Sequence, residues 1–148
     1  MPSRLVFLGT AGNLGVVSKQ SRSSGGFVIQ VGEVQVHVDP GPGALTNAAM
    51  CSLNVRGHTA ILVSHAHLNH SNDINALINA MTLNGLDSHG VLIAPESIIN
   101  GTEHIKPVLH THFANHLEKI ITAQPNRKIA IENIEVHPIA AKHSDLHS

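Results

Sequence analysis

The chain has 148 residues and a formal net charge of −1 with its histidines neutral; 42% of its residues are apolar and 13% charged. That balance is globular, leaves no basic run as a nucleic-acid footprint, and offers only short apolar runs, far below a membrane span. The amino terminus reads as a strand and not a secretion signal, and a single cysteine, Cys51, rules out an internal disulfide. The expectation is a cytoplasmic protein whose core, lacking Trp and Tyr, is filled by Ile, Leu, Val and Ala.

Residues 4–10 form a short apolar strand that closes on a glycine turn at Gly9. Residues 26–31 and 34–38, separated by Gly32-Glu33, read as a β-hairpin. The second strand runs into Asp39-Pro40-Gly41-Pro42-Gly43, a stiff turn in which proline fixes φ and glycine permits tight bends. Residues 44–53 read as a helix, with Cys51 expected as a buried, inert thiol. The apolar run 60–64 is a buried strand that opens onto His65-Ala66-His67-Leu68-Asn69-His70. Ser71 or Asn72 can then cap a helix running to Met81, in which Ile74, Leu77, Ile78 and Met81 share one face. Asp73 falls in its first turn, where a carboxylate complements the helix dipole; metal ligation is the alternative role. Residues 90–95 form another short buried strand. Residues 119–124 and 128–131, joined by Pro125-Asn126-Arg127, read as a second hairpin, and 134–141 leads to Lys142-His143.

Histidine supplies 13 of the 148 residues. At that frequency a His-x-His-x-x-His pattern arises by chance roughly one time in ten, so context has to carry the inference. His110, His112 and His116 form a second cluster without such context and read as exposed histidines beside a helix start. The first cluster lies at the mouth of a buried strand, where neutral imidazoles from one turn could reach a single divalent transition metal.

The stretch from His65 to His70 resembles the metal-binding signature of the metallo-β-lactamase superfamily, His-x-His-x-Asp-His, with Asn69 where the signature has Asp. The order of elements, from the strand with its glycine turn through the hairpin and the Asp39 turn to the histidine motif, also follows that superfamily. The Leu8-Gly9-Thr10 start and Ser21–Ser24 look most like its phosphodiesterase and tRNA 3′-processing branch. The resemblance implies an α/β fold of the αββα type. Residues 1–148 would be one domain, the amino-terminal half of a four-layer sandwich, with one mixed sheet carrying helices on one face and its other face open for a second sheet. It also implies that His65, His67 and His143 hold a first zinc, whose bound water is acidified toward a pKa of ~7. His70 would serve a second zinc site. Asn69 is a poor ligand there, since an amide is neutral and cannot accept a proton, and the remaining ligands would lie in the absent half. One tight zinc and an impaired second site are therefore expected, with Asp39 orienting the histidine turn.

The activity implied is hydrolysis of an ester-type bond, most often a phosphodiester, by metal-activated water. The alternative is a catalytically incomplete metal-binding half-domain that pairs with another copy or with a chain supplying the second half. On either view the uncovered sheet face, carrying Phe27, Ile29 and Val31 or else Val28 and its neighbours, should be buried against a partner.

Overall fold

A computed structural model describes residues 3–142. The strands are β1 (Arg4–Gly9), β2 (Ser24–Val31), β3 (Val34–Val38), β4 (Ala60–Leu62), β5 (Val91–Ala94), β6 (Lys119–Thr122), β7 (Ile129–Ile131) and β8 (Ile134–Val136). The helices are α1 (Leu14–Lys19), α2 (Ala44–Met50), α3 (Leu68–Ser71), α4 (Ile74–Met81), α5 (Glu96–Ile99) and α6 (Thr111–Ala114). Strands β1 to β6 form one sheet in sequence order; β1, β2 and β3 are antiparallel neighbours, and β3 to β6 run parallel. Each parallel step is joined by helical segments, as parallel pairing demands of its crossovers.

The two faces of the sheet separate by residue alternation. One face presents Leu8, Val28, Ile61, Val63, Leu92 and Ala94, all buried, against the helices. Helix α4 supplies Ile74, Leu77, Ile78 and Met81, each fully buried, which is the apolar face its sequence spacing specifies. Helix α2 contributes Ala44 and Ala48, whose small side chains let it lie close to β1 and β2. Val28 is on this face; Phe27, Ile29 and Val31 are on the other.

The second face is not wholly open. The hairpin β7–β8 forms a separate two-stranded sheet, and its Ile129, Ile131, Ile134 and Val136 pack with Val34, Val36, Ala60 and Ile93. The expectation of a face left bare by this chain is corrected for the β3–β6 region. It holds at the β1 edge, where Leu5 is 52% and Phe7 61% exposed.

Three further expectations change, and one helix is new. The second hairpin is β7–β8, turning at Glu132-Asn133, and not residues 119–124 with 128–131. β6 instead pairs in parallel with β5, from Val91↔Lys119 to Ala94↔Thr122, so its backbone groups are already engaged. Cys51 is exposed, because α2 ends at Met50 and the chain turns at Ser52 (φ 55°). Asp73 is the N-cap residue of α4 but makes no side-chain cap there. Its carboxylate accepts from the Leu45 N–H (3.3 Å) and from Asn72 Nδ2 (2.9 Å), so it caps the first turn of α2 and ties that helix to α4. Helix α1 has no counterpart in the sequence reading; Asn13 caps it through Gly15 N, and it buries none of its residues.

Among the described residues no helix is long and apolar enough to cross a membrane.

Candidate metal centre

The register of the parallel strands places the centre. Val38 pairs with Leu62, so the residues following β3 and β4 emerge together at the carboxyl edge, where open α/β sheets present ligand sites. Asp39 adopts φ 51°, a left-handed conformation that Asp tolerates better than most residues, and its N–H donates to Leu62 O at 2.8 Å. The turn turns its carboxylate back onto Ser64. Oδ1 accepts the Ser64 N–H at 2.7 Å, and Oδ2 accepts the Ser64 hydroxyl at 2.7 Å. Oδ2 also accepts from His70 Nδ1 at 2.9 Å, and Ser64 Oγ lies 2.8 Å from His65 Nδ1.

This network dictates the tautomers. Burial pushes the Asp39 carboxyl upward, but the bonds from His70 and from the Ser64 N–H and hydroxyl outweigh it and hold the group below its ordinary value. An ionised Asp39 can only accept, so the single Ser64 hydroxyl proton goes to Oδ2 and His65 must donate from Nδ1. His70 likewise donates from Nδ1. In the neutral form of either ring, Nε2 is then the unprotonated nitrogen, which is the form a metal requires.

Three rings cluster here. The centroid of His65 lies 4.8 Å from that of His67 and 4.2 Å from that of His70. His65 is buried, and His67 and His70 are half-buried. His67 is the N-cap residue of the short helix α3, which carries Asn69 and His70. The loop is seated closely: a Cβ on Gly41 would lie 2.0 Å from the Asn69 carbonyl oxygen and 2.1 Å from that of Ser24, so glycine is required there.

Two clefts flank the rings. One, of about 410 Å³, is lined by His65 with Leu62, Ile93, Pro95, Val136 and Pro138; the other, of about 340 Å³, by His70 and Asn69 with Phe7, Phe27 and Thr10.

The fit to a metal is one of chemistry. Neutral imidazoles with Nε2 unprotonated and Nδ1 bonded to a carboxylate or its relay suit zinc and its neighbours. Among the described residues, no group of three His, Cys, Asp or Glu side chains is arranged to hold an ion. The remaining expected ligand, His143, lies outside the described residues. Asp73 has both carboxylate oxygens engaged away from the rings, on Leu45 and Asn72. In the second histidine cluster, His110 and His112 are exposed, while His116 is half-buried over Gly85 with its ring 4.9 Å from that of His112.

Sequence reasoning missed two features. Ser64 registered only as the end of a strand. The second is a buried polar chain beneath the centre. Gln35 Nε2 lies 2.6 Å from His58 Nδ1, His58 Nε2 lies 3.2 Å from His37 Nδ1, and His37 Nε2 lies 2.9 Å from the Gly25 carbonyl. The amide can only donate and the carbonyl only accept, so every proton points toward Gly25 and both rings are neutral. Burial lowers both imidazoles, His58 to about 3 with help from His37 and His89. The chain supports β2 where Ser24 donates to Pro42 O (3.1 Å) and thus braces the Asp39 turn.

The sequence matches no protein-family model. It is 26% identical over 145 residues to an uncharacterised protein of Methanocaldococcus jannaschii, covering 98% of this chain and 54% of that protein, so it spans about half the length of this relative. Among solved structures, the metallo-β-lactamase fold protein YhfI of Bacillus subtilis is 17% identical, with a TM-score of 0.75, covering 99% of this chain and 56% of YhfI. A diphosphatase of the PhnP family is 16% identical, with a TM-score of 0.66 and coverage of 98% and 60%. The short form of human tRNase Z is 17% identical, with a TM-score of 0.55 and coverage of 82% and 46%. These likenesses, with the mixed six-stranded sheet, show that the chain has the metallo-β-lactamase fold.

Proposed function

We propose that this chain carries the histidine loop of a metal-dependent hydrolase acting on an ester-type bond, with a phosphodiester as the preferred class. The observation that carries the reading is the bonded unit of Asp39, Ser64, His65 and His70 at the carboxyl edge of the sheet. Zinc is the metal that neutral imidazoles favour, and when bound it would supply an acidified water as nucleophile. His65 and His67 would hold it, with His143 completing the set and His70 serving a second, weaker site. Asp39 orients His70 directly and His65 through Ser64. The phosphodiester preference draws on the neighbours, one a diphosphatase and one a tRNase Z by their descriptions.

Asn69 deprives the second site of one anionic oxygen and one proton acceptor. One tightly held zinc per chain and slow turnover of bis-p-nitrophenyl phosphate are the expected behaviour. Asn69→Asp in a longer form of the protein should raise the rate. Two tight metals per chain in the wild type would overturn this account of the second site.

A second reading is a metal-binding half-domain that pairs with another copy or another chain. It is favoured by the exposed Leu5 and Phe7 at the β1 edge, next to Phe27 with ring centroids 5.9 Å apart. Apolar area left in water forgoes roughly 25 cal/mol per Å², which favours a covered state. Sedimentation of a compact 15.7 kDa monomer at micromolar concentration would refute the pairing.

A further inference from the structure

We propose that Ser64 is a positioning residue of the metal centre, holding His65 through its hydroxyl in the one tautomer able to ligate through Nε2. The inference rests on the metal-binding reading above and deepens it, giving the Ser64 hydroxyl a role that can be tested separately. The hydroxyl lies 2.7 Å from Asp39 Oδ2 and 2.8 Å from His65 Nδ1. It passes the orienting effect of one carboxylate to a ring that the carboxylate does not touch. His70 takes its orientation from the same Oδ2 directly, at 2.9 Å. One half-buried charge thereby sets two imidazoles, and only one of them through Ser64.

The backbone arrangement makes the role separable. The Ser64 N–H donates to Asp39 Oδ1 at 2.7 Å, independently of the hydroxyl. Ser64→Ala therefore keeps the anchor between the two turns and removes only the relay. Without the hydroxyl, nothing in the relay holds the proton on His65 Nδ1, and the ring can populate the Nε2–H form, which must be reversed before ligation. Ser64→Thr keeps a hydroxyl on the same carbon, and the position is exposed enough to take the extra methyl.

The test combines two readouts on the full chain. Side-chain 15N chemical shifts of the metal-free protein report tautomers, and zinc titration against a chelating dye reports affinity. We expect His65 and His70 both to be protonated at Nδ1 in the wild type. Ser64→Ala should move His65 toward the Nε2–H form, leave His70 unchanged, and weaken zinc binding about tenfold, the lower end of what loss of a supporting partner costs. Ser64→Thr should restore both. The proposal is overturned if Ser64→Ala keeps the wild-type His65 tautomer, or if its zinc affinity stays within about twofold of wild type. A wild type that binds no zinc would instead sink the metal reading. In that case the shifts alone judge the relay, and a wild-type His65 in the Nε2–H form rejects it.

Discussion

Replacing Asp39 by Asn tests the centre at its most connected atom. The side chain is 16% exposed and accepts three hydrogen bonds, one on Oδ1 and two on Oδ2. An amide has one acceptor oxygen. If that oxygen takes the Oδ2 position, the NH2 group faces the Ser64 N–H, donor against donor. If it takes the Oδ1 position, the NH2 donates toward Ser64 Oγ and His70 Nδ1. The hydroxyl then donates to His65, and both rings become protonated at Nε2. Either arrangement loses at least one charge-assisted bond, each worth about 1.5–3 kcal/mol, with partial replacement by neutral ones, so a stability loss of about 2 kcal/mol is expected at neutral pH. Zinc affinity should fall about 10- to 100-fold, by ligand tautomer and lost orientation together. The pH dependence has a definite sign. The folded pKa of Asp39 lies below its ordinary 3.8, so its contribution is complete above that value and disappears as pH falls through the folded pKa. The gap between wild type and Asp39→Asn in chemical denaturation should therefore shrink below about pH 4. An unchanged zinc affinity, or a gap that persists undiminished at pH 2, would refute the reasoning.

Gly41→Ala should act on the same loop from beneath: its Cβ would fall 2.0 Å from the Asn69 carbonyl oxygen, which must move. A loss of about 1–3 kcal/mol in thermal or chemical unfolding is expected, together with weaker zinc binding, because Asn69 lies between His67 and His70. His58 gives a second pH signature. Its folded pKa of about 3 lies below the ordinary 6.5, so the unfolded chain takes up a proton that the folded one refuses. Stability should fall from pH 6.5 downward at about 1.4 kcal/mol per pH unit from this group alone, and denaturation of His58→Asn between pH 7 and 4 should show a shallower slope.

The strands were legible where β-branched runs are bounded by glycine or proline, and α4 where Ile74, Leu77, Ile78 and Met81 keep one face. The second hairpin was not. Pro125-Asn126-Arg127 has the composition of a turn, yet it carries the chain from the main sheet to the hairpin layer. The tight turn lies at Glu132-Asn133, where Glu132 adopts φ 50° without a glycine to mark it. The role of Asp73 escaped for a similar reason: the sequence shows it at the start of its own helix, while its partner Leu45 is 28 positions away. Asp39 was legible only through the resemblance. Ser64 was not legible at all, because its hydroxyl gains meaning only when the Val38↔Leu62 register brings Asp39 to it. Gln35 and His37 alternate with valines in a pattern that does not disclose that their own face is covered too.

The central claim is that the loop from His65 to His70, and not the other histidine-rich segment, is the metal site. Metal content after zinc loading and desalting tests it most directly, measured on the wild type, His67→Ala and His112→Ala. The account predicts about one zinc per chain in the wild type and in His112→Ala, and none retained in His67→Ala. Zinc retained by His67→Ala, or lost equally in both variants, would contradict it.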